Sequence, residues 1–259
     1  MTSVVGATTV RIEMSDGIAM LTLDRPPLNV LTMAMLGELE TALQDLQLAP
    51  ELRLIVIKGA GRAFSAGVDV GEHLGASLRP MLEAFDRAAK ALLDSKVPTL
   101  AVVHGAALGG GCELVALCDL AIAADDAKLG TPEIALGVVP PVGAAVFPSL
   151  IGLQRTNALV LTGEAISGAV AASWGLVWRS VPADRLDEET RAVVERFRSR
   201  SAASLRFAKR ALRVSERGRL ANAITVANNL QIRELPELAD AEEGLRSFIE
   251  KRPPRWRHR

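Results

Sequence analysis

Residues 105–119 read GAALGGGCELVALCD. Three consecutive glycines, Gly109 to Gly111, interrupt an apolar run, and Glu113 follows almost at once. Each glycine inside a helix or strand costs roughly 0.5–1 kcal/mol against alanine, so a triplet marks a place where bare backbone is needed. The flanking sequence says what for. VPTLAVVHG (97–105) is a short apolar run without alternation, which reads as a strand buried on both faces. A helix is expected over about 111–118, and DLAIAAD (119–125) reads as a second buried strand. Strand, glycine junction, helix, strand predicts an α/β core with parallel pairing and right-handed crossovers. Such a junction leaves backbone N–H groups unpaired at a helix N-terminus, where they and the helix dipole favour negative charge.

The same pattern extends in both directions. TVRIEM (9–14) and IAMLTLDR (18–25) flank the turn signal SDG, which predicts an antiparallel hairpin. PPLNVLT (26–32) is irregular, because its prolines cannot join a ladder. Thr32 is a helix N-cap candidate, and Met35, Leu36, Leu39, Leu43 and Leu46 recur at helical spacing. RLIVIKGAG (53–61) is another buried strand, RAFSAGVDVGEHL (62–74) a glycine-bearing loop, and 79–95 an amphipathic helix. AKLGT (127–131) is a short strand or turn. Near residue 184 the pattern changes to helices alone: DEETRAVVERFRSR, SLRFAKRALRVSE, LANAITVANNLQIRELP and DAEEGLRSFIEK. Residues 1–183 therefore read as the core and 184–259 as a helical region appended to it.

Composition narrows the function. The 259 residues carry equal numbers of basic and acidic side chains, yet residues 184–259 hold 18 Lys and Arg against 12 Asp and Glu. That excess fits solvated helix faces or a segment that meets an anion. Aromatics make up 3% and tyrosine is missing, which argues against a base-stacking surface, and no nucleic-acid recognition motif accompanies the basic segment. Cys112 and Cys118 have no metal or redox spacing and read as reduced, buried thiols of a cytoplasmic protein. His73, His104 and His258 are scattered, so no metal site is expected. The N-terminus lacks the basic and apolar regions of a signal peptide. Residues 134–153 carry no charge and could span a bilayer by length, but three prolines and three glycines interrupt them. They read as a buried wall beside an apolar cavity, and no membrane association is expected.

FSAGVD (64–69) offers a second loop of accessible backbone, and N–H groups from two loops can converge on one carbonyl oxygen. Glu113 and Glu133 (in GTPEIALG) both interrupt very apolar sequence. Desolvation raises the pKa of such carboxyls. Two neighbouring carboxyls also drive their titrations apart, which suits one acid and one base.

The run 101–140 resembles the enoyl-CoA hydratase/isomerase, or crotonase, superfamily. LTLDRPPLNVL (21–31), RAFSAGVDV (62–70), LTGEAISGAVAASWGLVWRSVP (161–182) and EGLRSFIEKRPPRW (243–256) match further segments in the same order. The resemblance implies a spiral of ββα units building two sheets, with C-terminal helices for trimerisation, as a homotrimer or a dimer of trimers. It implies hydration of an acyl-CoA thioester with no cofactor, coenzyme A being part of the substrate. Its catalytic pair is Glu113 and Glu133, with Glu113 activating water and Glu133 delivering a proton to the α-carbon. The expected oxyanion-hole donors are the N–H groups of Ala66 and Gly110. Arg25, Pro27, Leu28, Ala66 and Asp69 are expected near coenzyme A, covered by Phe248 and Lys251. Val139, Pro140 and Pro141 are expected to shape the acyl pocket. One departure stands out: Pro141 replaces a glycine whose N–H many relatives offer to the site, and proline has none. VVPPVGAA, RPPLNVL and AGVDVGEHL are similar to the branch that hydrates cyclic dienoyl-CoA thioesters. A double-bond isomerase relying mainly on Glu133, or a catalytically silent acyl-CoA-binding oligomer, would share the same fold.

Overall fold

The computed structural model describes residues 8–213 and 217–257. It opens with the expected hairpin: β1 (Val10–Ser15) pairs antiparallel with β2 (Ile18–Leu23). Helix α1 (Met33–Leu46) starts at Thr32, whose side chain accepts from the Met35 N–H at 3.3 Å. It buries the apolar stripe read from its spacing. Then come β3 (Leu54–Gly59), a 3₁₀ turn at Val70–His73, α2 (Leu78–Leu93), β4 (Thr99–Val103), β5 (Ala106–Leu108) and α3 (Gly110–Leu117). β6 (Leu120–Ala124) and β7 (Lys128–Gly130) lead to a 3₁₀ turn at Pro132–Leu136, then α4 (Pro141–Ile151) and α5 (Leu153–Thr162). β8 (Ile166–Ser167), α6 (Gly168–Trp174) and β9 (Arg179–Val181) follow and supply the last strands. α7 (Leu186–Arg198), α8 (Ala202–Arg213), α9 (Arg217–Arg233) and α10 (Ala239–Ile249) follow. The C-terminal end of the SLRFAKRALRVSE helix, residues 214–216, lies outside the described residues.

Two sheets carry the strands. The larger has the order β1-β2-β3-β4-β6-β9, parallel from β2 onward, and the smaller has β5-β7-β8. Each turn of the chain lays one strand in each sheet: β4 then β5, β6 then β7, β8 then β9. β4 is wholly buried, as expected of a parallel strand covered on both faces.

Two of its three glycines split the uncharged stretch 134–153, while Gly143 lies inside α4. Gly137 (φ 69°) closes the second 3₁₀ turn, and Gly152 (φ 77°) separates α4 from α5. Pro148 is a correction: it does not break α4 but sits inside its C-terminal half. There it removes only one intrahelical donor, while Val142, Val146, Phe147 and Ile151 hold the helix to the core. No helix among the described residues is long and apolar enough to cross a membrane. Leu220 and Ile224 of α9 join the same hydrophobic core as the sheets.

Candidate functional site

A cavity of about 430 Å³ lies where the glycine junction, the 62–74 loop and the start of α4 meet. The glycines are there for close approach. Gly109 has φ 51°, and a Cβ on it would stand 2.7 Å from Glu133 Oε1. A Cβ on Gly110 would stand 2.7 Å from Val68 Cγ2. The junction is thus pressed against one carboxyl on one side and the 62–74 loop on the other.

Backbone pairing corrects one oxyanion-hole donor. The Ala66 N–H donates to the Leu28 carbonyl at 2.9 Å and cannot also face a ligand. The chain around Val68 runs beside Leu31, exchanging Leu31 N–H to Gly67 O (2.8 Å) and Asp69 N–H to Leu31 O (2.9 Å). In that ladder-like arrangement the intervening Val68 N–H points the other way, and it has no partner among the described residues. Gly110 opens α3, so its N–H is one of the orphan donors of a helix start. Val68 and Gly110 both line the cavity, so the free donor pair is Val68 with Gly110.

The loop carrying Val68 is pinned by a residue that sequence reasoning missed. Asn29 is buried in the left-handed conformation (φ 53°). Its Nδ2 donates to the carbonyls of Ala60 and Ala63, each at 2.8 Å, and its Oδ1 accepts from the Arg25 N–H at 2.9 Å. Ser65 Oγ donates to the Asn29 carbonyl at 2.8 Å and accepts from the Gly67 N–H at 3.2 Å. A buried Asn inside PPLNVLT, where no apolar residue would pay this many backbone groups back, was the available signal.

The two glutamates converge but differ in surroundings. Glu113, in the first turn of α3, is 3% exposed. Burial raises its pKa, and the N–H groups of Gly143 (2.7 Å to Oε1) and Val142 oppose that rise by stabilising the carboxylate. Those donors are the orphan N–H groups at the start of α4. Glu133 lies in the 3₁₀ turn at Pro132–Leu136. Burial raises its pKa, the charge of Glu113 raises it further, and its enclosed Oε2 has no partner among the described residues. The asymmetry favours an ionised Glu113 beside a protonated Glu133. Cys112, next to Glu113, is a buried thiol whose pKa is raised chiefly by burial.

The other expected residues divide. Val139 and Pro141 line the cavity. Pro140 does not: it is buried as the N-cap of α4, so the acyl-pocket assignment is corrected there. Pro141 occupies the first position of α4, where a missing N–H is tolerated, and the donors to Glu113 come from the next two residues. Phe248 and Ala66 line the cavity, whereas Arg25, Pro27, Leu28, Asp69 and Lys251 lie off its wall. Leu28 meets Ala66 through the bond above, and Asp69 Oδ1 caps the 3₁₀ turn by accepting from the Gly71 N–H at 2.9 Å. Among the described residues no cluster of three or more His, Cys, Asp or Glu is placed to hold a metal ion.

Comparison with known proteins gives the chain's relatives. Residues 13–259 match the model of the enoyl-CoA hydratase/isomerase family. A protein of Mycobacterium tuberculosis named probable enoyl-CoA hydratase is 37% identical over 254 residues, covering 97% of this chain and 98% of its own length. The cyclohexa-1,5-dienecarbonyl-CoA hydratase of Thauera aromatica is 35% identical, covering 96% of each chain. The crystal structure of an enoyl-CoA hydratase from Mycobacterium avium subsp. paratuberculosis superposes with a TM-score of 0.86 at 28% identity, covering 96% of this chain and 98% of that one. Likeness that runs through every element from the first hairpin to the last helix is family likeness, and the chain belongs to the enoyl-CoA hydratase/isomerase family.

Proposed function

We propose that the protein is a hydro-lyase that adds water across the α,β double bond of a 2-enoyl-CoA thioester. The observation that carries this reading is a pair of carboxyls, Glu113 buried and Glu133 with one oxygen enclosed, in one cavity with two free backbone donors. The thioester oxygen takes the N–H groups of Val68 and Gly110. Negative charge moving onto that oxygen is stabilised there, an effect worth about 10²–10³ in rate per donor. The same polarisation leaves the β-carbon electrophilic. Glu113, ionised, takes one proton from water as the water oxygen bonds to the β-carbon. Glu133, protonated, gives its proton to the α-carbon. Transfer of the proton from Glu113 to Glu133 resets the pair, so the sum is one water added.

Arg25, Pro27, Leu28 and Asp69 form, with Ala66, the loop pair proposed to receive coenzyme A. Phe248 and Lys251 cover it, and the C-terminal helices assemble three chains or a pair of trimers. Incubating the protein with a 2-enoyl-CoA in heavy-oxygen water should yield a labelled 3-hydroxyacyl-CoA. Label-free conversion to a 3-enoyl-CoA would favour an isomerase instead. A second reading, a cyclic dienoyl-CoA as substrate, is favoured by Pro141 on the cavity wall and by the Thauera aromatica relative.

A further inference from the structure

Helix α9 buries a stripe made of Leu220, Ile224 and Gln231. Leucine would suit the third position as it suits the first. Gln231 is instead 1% exposed, lines the cavity that holds both glutamates, and its Oε1 has no hydrogen-bond partner among the described residues. Leaving an amide oxygen enclosed and unpaired is unfavourable, so a donor brought to it would be stabilising.

His73, from the 3₁₀ turn at Val70–His73, lines the same cavity. Its Nδ1 lies 3.0 Å from the Asp69 carbonyl oxygen. A carbonyl only accepts, so Nδ1 carries the hydrogen. Burial lowers the pKa of the ring and so favours its neutral form, although the Asp69 carbonyl and carboxylate both favour the charged form. The Nε2 of a neutral ring protonated on Nδ1 is a lone pair. Two residues that carry acceptor atoms, from separate elements, therefore line one cavity. The polar side chains of α10 and its C-terminal extension do not supply a donor. Ser247 Oγ gives its proton to the Gly244 carbonyl at 2.9 Å. The Arg252 guanidinium is taken up by Glu243 and Glu250.

We infer that Gln231 and His73 form a polar subsite in the acyl cavity that receives a hydroxyl group carried on the acyl chain of the substrate. The inference rests on the enoyl-CoA reading of the cavity. A hydroxyl donates to one acceptor and can accept from the Gln231 amide, whereas a hydrocarbon chain leaves both acceptors unmet. Sites built to hydrogen-bond a hydroxyl discriminate strongly against the analogue that lacks it.

The test separates binding from chemistry. Saturated acyl-CoAs of one chain length, unsubstituted or hydroxylated at successive carbons from C5 onward, are titrated calorimetrically. Matching 2-enoyl-CoAs are assayed for turnover. At least one hydroxylated analogue should bind about tenfold or more tightly than its unsubstituted parent. Gln231→Leu should bring that ratio close to one, and His73→Phe should reduce it, which keeps the test open if the first variant does not fold. Weaker or equal binding of every hydroxylated analogue to the wild-type protein overturns the subsite. A binding preference without hydration of any enoyl-CoA upholds the subsite and sinks the hydratase reading.

Discussion

At the scale of single residues the decisive contrast is between Glu113 and Glu133. The first turn of α4 turns two N–H groups on Glu113, while Glu133 has an enclosed oxygen and the charge of its neighbour. Replacing either with glutamine removes a proton-transfer group while preserving shape, and each variant should hydrate at least 10²-fold more slowly. A stability signature should accompany the loss. The folded-state pKa of Glu133 lies above its ordinary 4.5. Between 4.5 and that raised value the folded protein holds a proton that the unfolded chain has released, so stability falls as pH rises through the window. Glu133→Gln cannot ionise. Its melting temperature should exceed that of the wild type at pH 8, and the gap should close near pH 5. Calorimetric scans showing a gap independent of pH would refute the burial argument. Both glutamates were legible in the sequence because carboxyls inside apolar runs are conspicuous. The donor loop was legible but its register was not. Ala66 and Val68 alternate along one chain segment, and only the pairing with Leu28 and Leu31 decides which N–H is free. Gln231 went unnoticed among the polar residues of its helix, although its seven-residue offset from Ile224 places it on the buried stripe.

At the scale of elements, buried parallel strands and glycine junctions were readable because their apolar runs and punctuation are local. The tie between α8 and the large sheet was not, since it joins residues far apart in sequence. Lys209, 7% exposed, reaches Asp119 Oδ2 at 2.6 Å and the Val97 carbonyl at 2.9 Å. Asp119, just before β6, also accepts from the Thr99 N–H (2.8 Å), Thr99 Oγ1 (3.0 Å) and Arg213 (2.8 Å). Burial pushes the Asp119 pKa up, but Lys209 and Arg213 outweigh it and hold the carboxyl below its ordinary value. The two partners are not equivalent. Asp119→Ala leaves the buried Lys209 ammonium without its counter-ion, a change that typically costs about 3–5 kcal/mol. Lys209→Met removes the charge that had to be buried and leaves Asp119 with Arg213 and Thr99, so its cost should be clearly smaller. Urea melts of the two variants measure the difference, and equal losses would show that the ammonium is not held by this carboxylate.

At the scale of the whole molecule, α8 has its faces reversed for a lone chain. It buries Lys209 while Phe207 is 62% exposed and Leu212 78% exposed. Two clefts, of about 580 and 490 Å³, run along the same helix, and Leu212 lines the first and Phe207 the second. Neither is lined by Glu113 or Glu133, so their apolar walls stand apart from the proposed chemistry. Exposed apolar side chains concentrated along one helix mark a contact surface rather than ordinary surface scatter. This matches the proposed assembly through the C-terminal helices. Sedimentation equilibrium should therefore give a mass of three or six chains. Phe207→Glu with Leu212→Glu would put two charges into a desolvated contact and should shift the distribution towards single chains, with the far-ultraviolet circular dichroism unchanged. A wild-type protein that sediments as a monomer, or a double variant that assembles as the wild type does, would show that this face is not where the chains meet.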